Sequence, residues 1–170
     1  MMVDFHSKEF REAEMPFTKL RYHIVFSTKG RIPYITKSVK PVLYDLVRES
    51  GRAAGGRVLE IGGVPDHVHV ISAIPPDLAV SRFVQRIKSD SSREVKKEIE
   101  EISGFAWQIG FGAFTLNPFD MSEVFQYVRN QHEHHTTGTT VQRYEHATPN
   151  ATNPTEPPPT DPRLSPSPGE

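Results

Sequence analysis

Residues 57–74 read RVLEIGGVPDHVHVISAI, two short apolar runs joined through Gly62-Gly63-Val64-Pro65. The first run, 57–63, places Val58 and Leu59 near Ile61 and is expected to be a strand. The second, 66–74, is expected to be another and stops at Pro75-Pro76. So short a connection favours an antiparallel hairpin. Side chains alternate along a strand, so His67, His69, Ile71 and Ala73 share one face and Val68, Val70 and Ile74 the other. Both faces carry apolar groups, so both need a covering layer.

Working outward, residues 38–54 carry Val39, Val42, Leu43, Leu46 and Val47 at helical spacing, with Gly55-Gly56 as a stop. Before them, 18–28 (TKLRYHIVFST) alternates as a strand, with Leu20, Tyr22, Ile24 and Phe26 opposed to Arg21, His23 and Val25. After the hairpin, Asp77 is expected to cap a helix running to about residue 100, whose apolar stripe includes Val80, Phe83, Val84, Ile87 and Val95. The aromatic, glycine-broken segment 105–116 suits a bent fourth strand. Asp120, with Glu123 as its capping-box partner, is expected to open a last helix reaching about His135. The order strand-helix-strand-strand-helix-strand-helix predicts an α+β fold. It would be a ferredoxin-like antiparallel sheet with helices on one face plus an added C-terminal helix. Three regions are expected: an extension over 1–17, the folded domain over 18–136 and a proline-rich disordered tail over 137–170. Eight of the chain's 15 prolines follow Ala147, where Leu164 is the one large apolar residue.

The 170 residues suffice for one domain, and the formal net charge of −1 gives no global basic field. Any nucleic-acid contact must come from a local patch. The absence of cysteine excludes disulfides, thiolate metal sites and cysteine nucleophiles. No apolar run is long enough to span a bilayer, and the charged N-terminus lacks the apolar segment of a secretory signal, so a cytoplasmic protein with no membrane partner is expected.

Two groups could carry chemistry. His67 and His69 project from the same strand face, where their rings can converge on one cation; equally, paired histidines can sit at a wet sheet edge. In the last helix Tyr127 and Gln131 lie four apart and share a face. Alone, that pair reads as a half-buried tyrosine beside a solvated glutamine. Arg129 and His132 lie off this face, His23 is given no role, and His134 and His135 read as a solvated helix end.

Taken in order, these segments resemble the small single-tyrosine HUH transposases of the IS-two-hundred-like family, which includes the REP-associated tyrosine transposases. The resemblance covers about 18–136. It is carried by YHIVFSTK (22–29), PDHVH (65–69), KSDSSR (88–93), Trp107-Gln108, GFGAF (110–114) and YVRNQHEHH (127–135). It implies that His67, His69 and Gln131 are metal ligands, that the ion is Mg²⁺ or Mn²⁺, and that Tyr127 is the nucleophile. Tyrosine attack on a phosphodiester would leave a 5′-phosphotyrosine and a free 3′-OH, conserving the bond energy for rejoining.

The basic stretch 82–97 tips toward DNA under the same resemblance, with Arg82, Arg86, Lys88 and Arg93 as phosphate contacts extended by Lys29 and Arg31. The implied partner is single-stranded DNA bearing an imperfect hairpin. The implied assembly is a homodimer with composite active sites, histidines from one subunit and the tyrosine helix from the other. After His135 the chain departs from the family, running TTGTTVQRYEHATPN instead of further helix. The alternatives are a catalytically inactive hairpin-DNA-binding relic and an unrelated metal-binding module of the same fold.

Overall fold

The computed structural model describes residues 18–141 together with Glu145. The expected 1–17 extension and most of the proline-rich tail lie outside the described residues. Strand β1 (Arg21–Ser27) leads through a 3₁₀ turn (Lys29–Arg31) to helix α1 (Val39–Ala53). The hairpin follows as β2 (Arg57–Val64) and β3 (His67–Ala73), then helix α2 (Val80–Glu98) and a second 3₁₀ turn (Glu100–Ile102). Strand β4 (Gly112–Thr115) and helices α3 (Met121–Arg129) and α4 (Gln131–Thr137) complete the chain.

The sheet order is β2-β3-β1-β4. All three pairings are antiparallel, which is the ferredoxin-like arrangement expected. Alternation along β3 divides the molecule into two layers. Val68, Val70 and Ile74 join Ile24 and Phe26 of β1, Leu43 and Val47 of α1, and Phe83, Val84 and Ile87 of α2 in the main core. On the opposite face Ile71 packs with Val124 and Val128 of α3 in a smaller cluster. The helix stripes dictate this, since the residues that α1 and α2 bury are those at helical spacing.

Four local expectations need correcting. Asp77 does not cap α2. It sits in a turn closed by Leu78 N–H donating to Pro75 O at 3.2 Å, and the helix begins at Val80 behind Ala79. Asp120 does occupy the N-cap of α3, but its side chain makes no capping hydrogen bond. The long fourth strand shrinks to four residues. Upstream of it, Trp107 bridges Thr28, while the Lys88 ammonium donates to the carbonyls of Gln108 and Gly110 at 2.5 and 2.6 Å, so these acceptors serve a lysine instead of a strand ladder. The last helix is not continuous either: Asn130, at φ −96° and ψ 20°, leaves the helical region and separates α3 from α4.

One irregularity matters for the site. The β2–β3 register shifts between Val58 and Glu60, a one-residue bulge at Leu59. Val58 stays in the main core, whereas Leu59 packs against the α3 cluster and Glu60 stands opposite Ile71. There Glu60 accepts a hydrogen bond from Arg129 Nε. Among the described residues, no helix is long and apolar enough to cross a membrane.

Candidate active site

Strand β3 delivers His67 and His69 to the sheet face that α3 covers, and both are buried. Each ring is fixed through its Nδ1. Asp66 Oδ1 lies 2.7 Å from His67 Nδ1, and Arg31 in turn pairs with Asp66 at 3.3 Å. His69 Nδ1 lies 2.9 Å from Nε2 of His23, which reaches it from the neighbouring β1, and the two rings stack 5.1 Å apart. In the tautomers whose Nδ1–H donates to Asp66 and to His23, the Nε2 atoms keep their lone pairs. Both Nε2 atoms are buried and, among the described residues, make no hydrogen bond, each facing the Glu145 carboxylate at 3.4 and 3.6 Å. Carboxylate- and histidine-backed imidazoles with free Nε2 atoms are what a divalent cation requires.

Helix α3 brings the tyrosine to the same place. Gly62, opposite His69 in the register, permits it: a Cβ there would stand 1.6 Å from the carbonyl oxygen of Val128. The helix backbone therefore rests on bare strand. Tyr127 is buried, and its ring meets that of His69 edge-on with 6.0 Å between centroids. Its hydroxyl donates to the Glu145 carboxylate and accepts from Val141 N–H at 3.1 Å. Burial first, then the facing Glu145, push the phenol up to about 12. Glu145 is itself held well below the usual carboxylate range: its burial acts the other way but is outweighed by His67, His69 and Tyr127 around it. Burial opposes charging of both imidazoles. At His67 the hydrogen-bonding carboxylates outweigh it and raise the pKa; at His69 burial prevails and lowers it.

Gln131 opens α4 fully buried. Its Nε2 donates weakly to Tyr127 O at 3.5 Å, and its Oε1 has no hydrogen-bond partner among the described residues. Beyond the Asn130 break, the half-buried His134 and the exposed His135 bring two further rings beside the site. His134 stacks on Tyr127 at 4.7 Å, and His135 stands edge-on to His67 at 5.0 Å.

Residues 16–131 match the family model described as "Transposase IS200 like". The chain belongs to that family. It is 24% identical over 120 residues to the ISDra2 transposase TnpA of Deinococcus radiodurans, covering 68% of this chain and 86% of the relative. The transposase for insertion sequence element IS200 of Salmonella typhimurium is 32% identical over 72 residues, 42% of this chain and 47% of that protein. Two solved structures share the fold. A candidate transposase from Deinococcus radiodurans R1 has a TM-score of 0.57 at 22% identity, covering 76% of this chain and 98% of that one. The REP-associated tyrosine transposase bound to a REP hairpin has a TM-score of 0.53 at 15% identity, covering 82% and 76%.

In this IS200-like transposase family member, a single chain brings its own Tyr127 to its own His69. The expected basic contacts are placed differently. Arg82, Arg86 and Arg93 are exposed on α2, in the layer on the far side of the sheet from the histidines. Arg86 and Arg93 pair with Asp90, and Arg93 with Glu94 as well. Lys88 is tied down between α2 and the 105–111 segment, and burial lowers its pKa, so it is a structural clamp in place of the free phosphate contact expected. Lys29 is exposed at the end of β1, and Arg31 is turned onto Asp66.

Sequence reasoning missed His23, His134, His135 and Glu145. The YHIVFSTK and YVRNQHEHH segments contain three of the four, His23, His134 and His135. His23 lies in a segment that carries the resemblance but sits one strand away from its partner, and Glu145 falls in a stretch with no periodicity at all.

Proposed function

We propose that this chain cleaves and rejoins single-stranded DNA beside an imperfect hairpin, with Tyr127 as nucleophile and a divalent cation at His67 and His69. Gln131 is the further ligand implied by the family pattern. The observation that carries the proposal is the convergence of the Tyr127 hydroxyl and the His67 and His69 Nε2 atoms on one carboxylate, that of Glu145.

The chain's own residues perform most of the work. Val124 and Val128 anchor α3 on the sheet, so the phenol is held over the histidines before substrate arrives. At rest, with its pKa pushed up to about 12, the phenol is protonated and a poor nucleophile. When bound, the cation would neutralise the phosphate and favour the ionised phenol. Tyr127 Oη then bonds to phosphorus and the 3′ oxygen departs; the proton the phenol loses balances the one that oxygen gains. The 5′-phosphotyrosine keeps the bond energy, so attack by a 3′-OH reverses the step without a nucleotide cofactor. The REP hairpin held by the structural neighbour supports the choice of a hairpin-bearing partner.

Incubating the protein with hairpin-bearing single-stranded DNA and Mg²⁺ or Mn²⁺ tests this. The expected result is a covalent protein–DNA adduct that disappears in Tyr127→Phe and in EDTA. DNA that is shifted on a gel but never cut would instead identify an inactive hairpin-binding relic.

A further inference from the structure

The C-terminal segment reaches the histidines with two donors, His135 and Glu145, outside the ligand set that the resemblance implies. Ligand atoms of His67, His69, His135 and Glu145 all lie within 4.8 Å of one another. Glu145 Oε2 stands 3.4 Å from His67 Nε2, 3.6 Å from His69 Nε2 and 3.4 Å from His135 Nε2. Four donors about 2.1 Å from a tetrahedral ion are separated by roughly 3.4 Å, so the three distances to Oε2 match donor–donor separations around such an ion. The other carboxylate oxygen, Oε1, accepts from Tyr127. Among the described residues, the buried Nε2 atoms of His67 and His69 make no hydrogen bond, although each faces Oε2.

From this geometry we infer that His135 and Glu145, in place of the Gln131 that the family pattern implies, are metal ligands alongside His67 and His69, forming within one chain a three-imidazole, one-carboxylate pocket that selects a transition ion over Mg²⁺. The inference depends on the proposed function for the presence of an ion at His67 and His69, and adds both the donors and the ion's class. The selectivity follows from donor chemistry. Mg²⁺ prefers oxygen donors and retains its waters, whereas imidazole suits Zn²⁺, Cu²⁺, Fe²⁺ and Ni²⁺, and Mn²⁺, which also favours oxygen, stands between Mg²⁺ and these in affinity. Glu145 would also link ion and nucleophile directly, one oxygen on each.

Calorimetric titration of the full chain with Zn²⁺, Mn²⁺ and Mg²⁺ tests it, with pulsed electron paramagnetic resonance of bound Mn²⁺ to count coordinated imidazole nitrogens. The variants are His135→Asn, Glu145→Gln and His67→Ala, each first shown to melt like the parent in EDTA. Expected are one Zn²⁺ or Mn²⁺ per chain, far weaker Mg²⁺, and three coupled imidazoles that become two in His135→Asn. Both His135→Asn and Glu145→Gln should lose at least about tenfold in Zn²⁺ affinity. Parent-like affinity and an unchanged imidazole count in these two variants, with binding lost in His67→Ala, would overturn this inference and leave the proposed function standing. A parent that binds no ion at all would overturn both.

Discussion

An imidazole grips a cation well only when its second nitrogen is already engaged, and here that engagement comes from two dissimilar neighbours. Asp66 fixes His67 from the adjacent position in sequence, and His23 fixes His69 from the next strand. Asp66→Asn is therefore expected to keep the fold but weaken Mn²⁺ binding by about 10- to 100-fold; unchanged affinity by calorimetry would refute the supporting role. His23 also makes a prediction about acid. Burial, reinforced by His69, lowers it to about 3, so in the metal-free protein the unfolded chain takes up this proton first, near pH 6.5. Stability present above that pH is lost as the pH falls from 6.5 toward 3. Urea midpoints between pH 7 and 4.5 should show it, with a smaller decline in His23→Gln. The paired histidines were legible because strand alternation is a two-residue rule. His23 was not, because its partner lies 46 positions away. His135 reads as a solvated helix end and is indeed exposed, but periodicity does not show that its ring also meets that of His67.

Elements set how closely these groups meet. Strand β2 and helix α3 touch at Gly62, where a methyl group would collide with the Val128 carbonyl. Gly62→Ala should displace α3, cost about 1–3 kcal/mol in denaturant unfolding, and abolish adduct formation even where the protein remains folded. An alanine variant with parent-like cleavage would show that the contact does not position the tyrosine. The hairpin and both amphipathic helices could be read directly, since Leu43, Val47, Phe83 and Ile87 obey helical spacing. The short β4 could not, because the carbonyls of Gln108 and Gly110 are claimed by a lysine from another element. Propensity and alternation carry no information about such a tertiary competitor. Lys88→Met should consequently lower thermal stability without altering the salt dependence of DNA binding.

At the scale of the molecule, the sheet separates two surfaces. The histidines and Tyr127 lie under α3 and α4, while Arg82, Arg86 and Arg93 stand on α2 in the opposite layer. DNA that touches both must pass around an edge of the sheet. Replacing the three arginines by glutamine is expected to weaken hairpin binding and flatten its dependence on salt. The logarithmic slope should fall by about 0.7 to 0.9 per lost phosphate contact, with cleavage at saturating DNA unchanged. A salt slope identical to the parent's would remove α2 from the DNA path. The register shift at Leu59 has a consequence at this same scale. One extra residue leaves the alternation intact on both sides of it, so the inner surface of the hairpin still serves the helical bed below. Leu59 gives the tyrosine-bearing rod a greasy seat, and Glu60 beside it an anionic latch for Arg129. A single inserted position thus lets one ribbon answer to two sets of neighbours, and substitutions that retune the seat or the latch leave the bed below undisturbed.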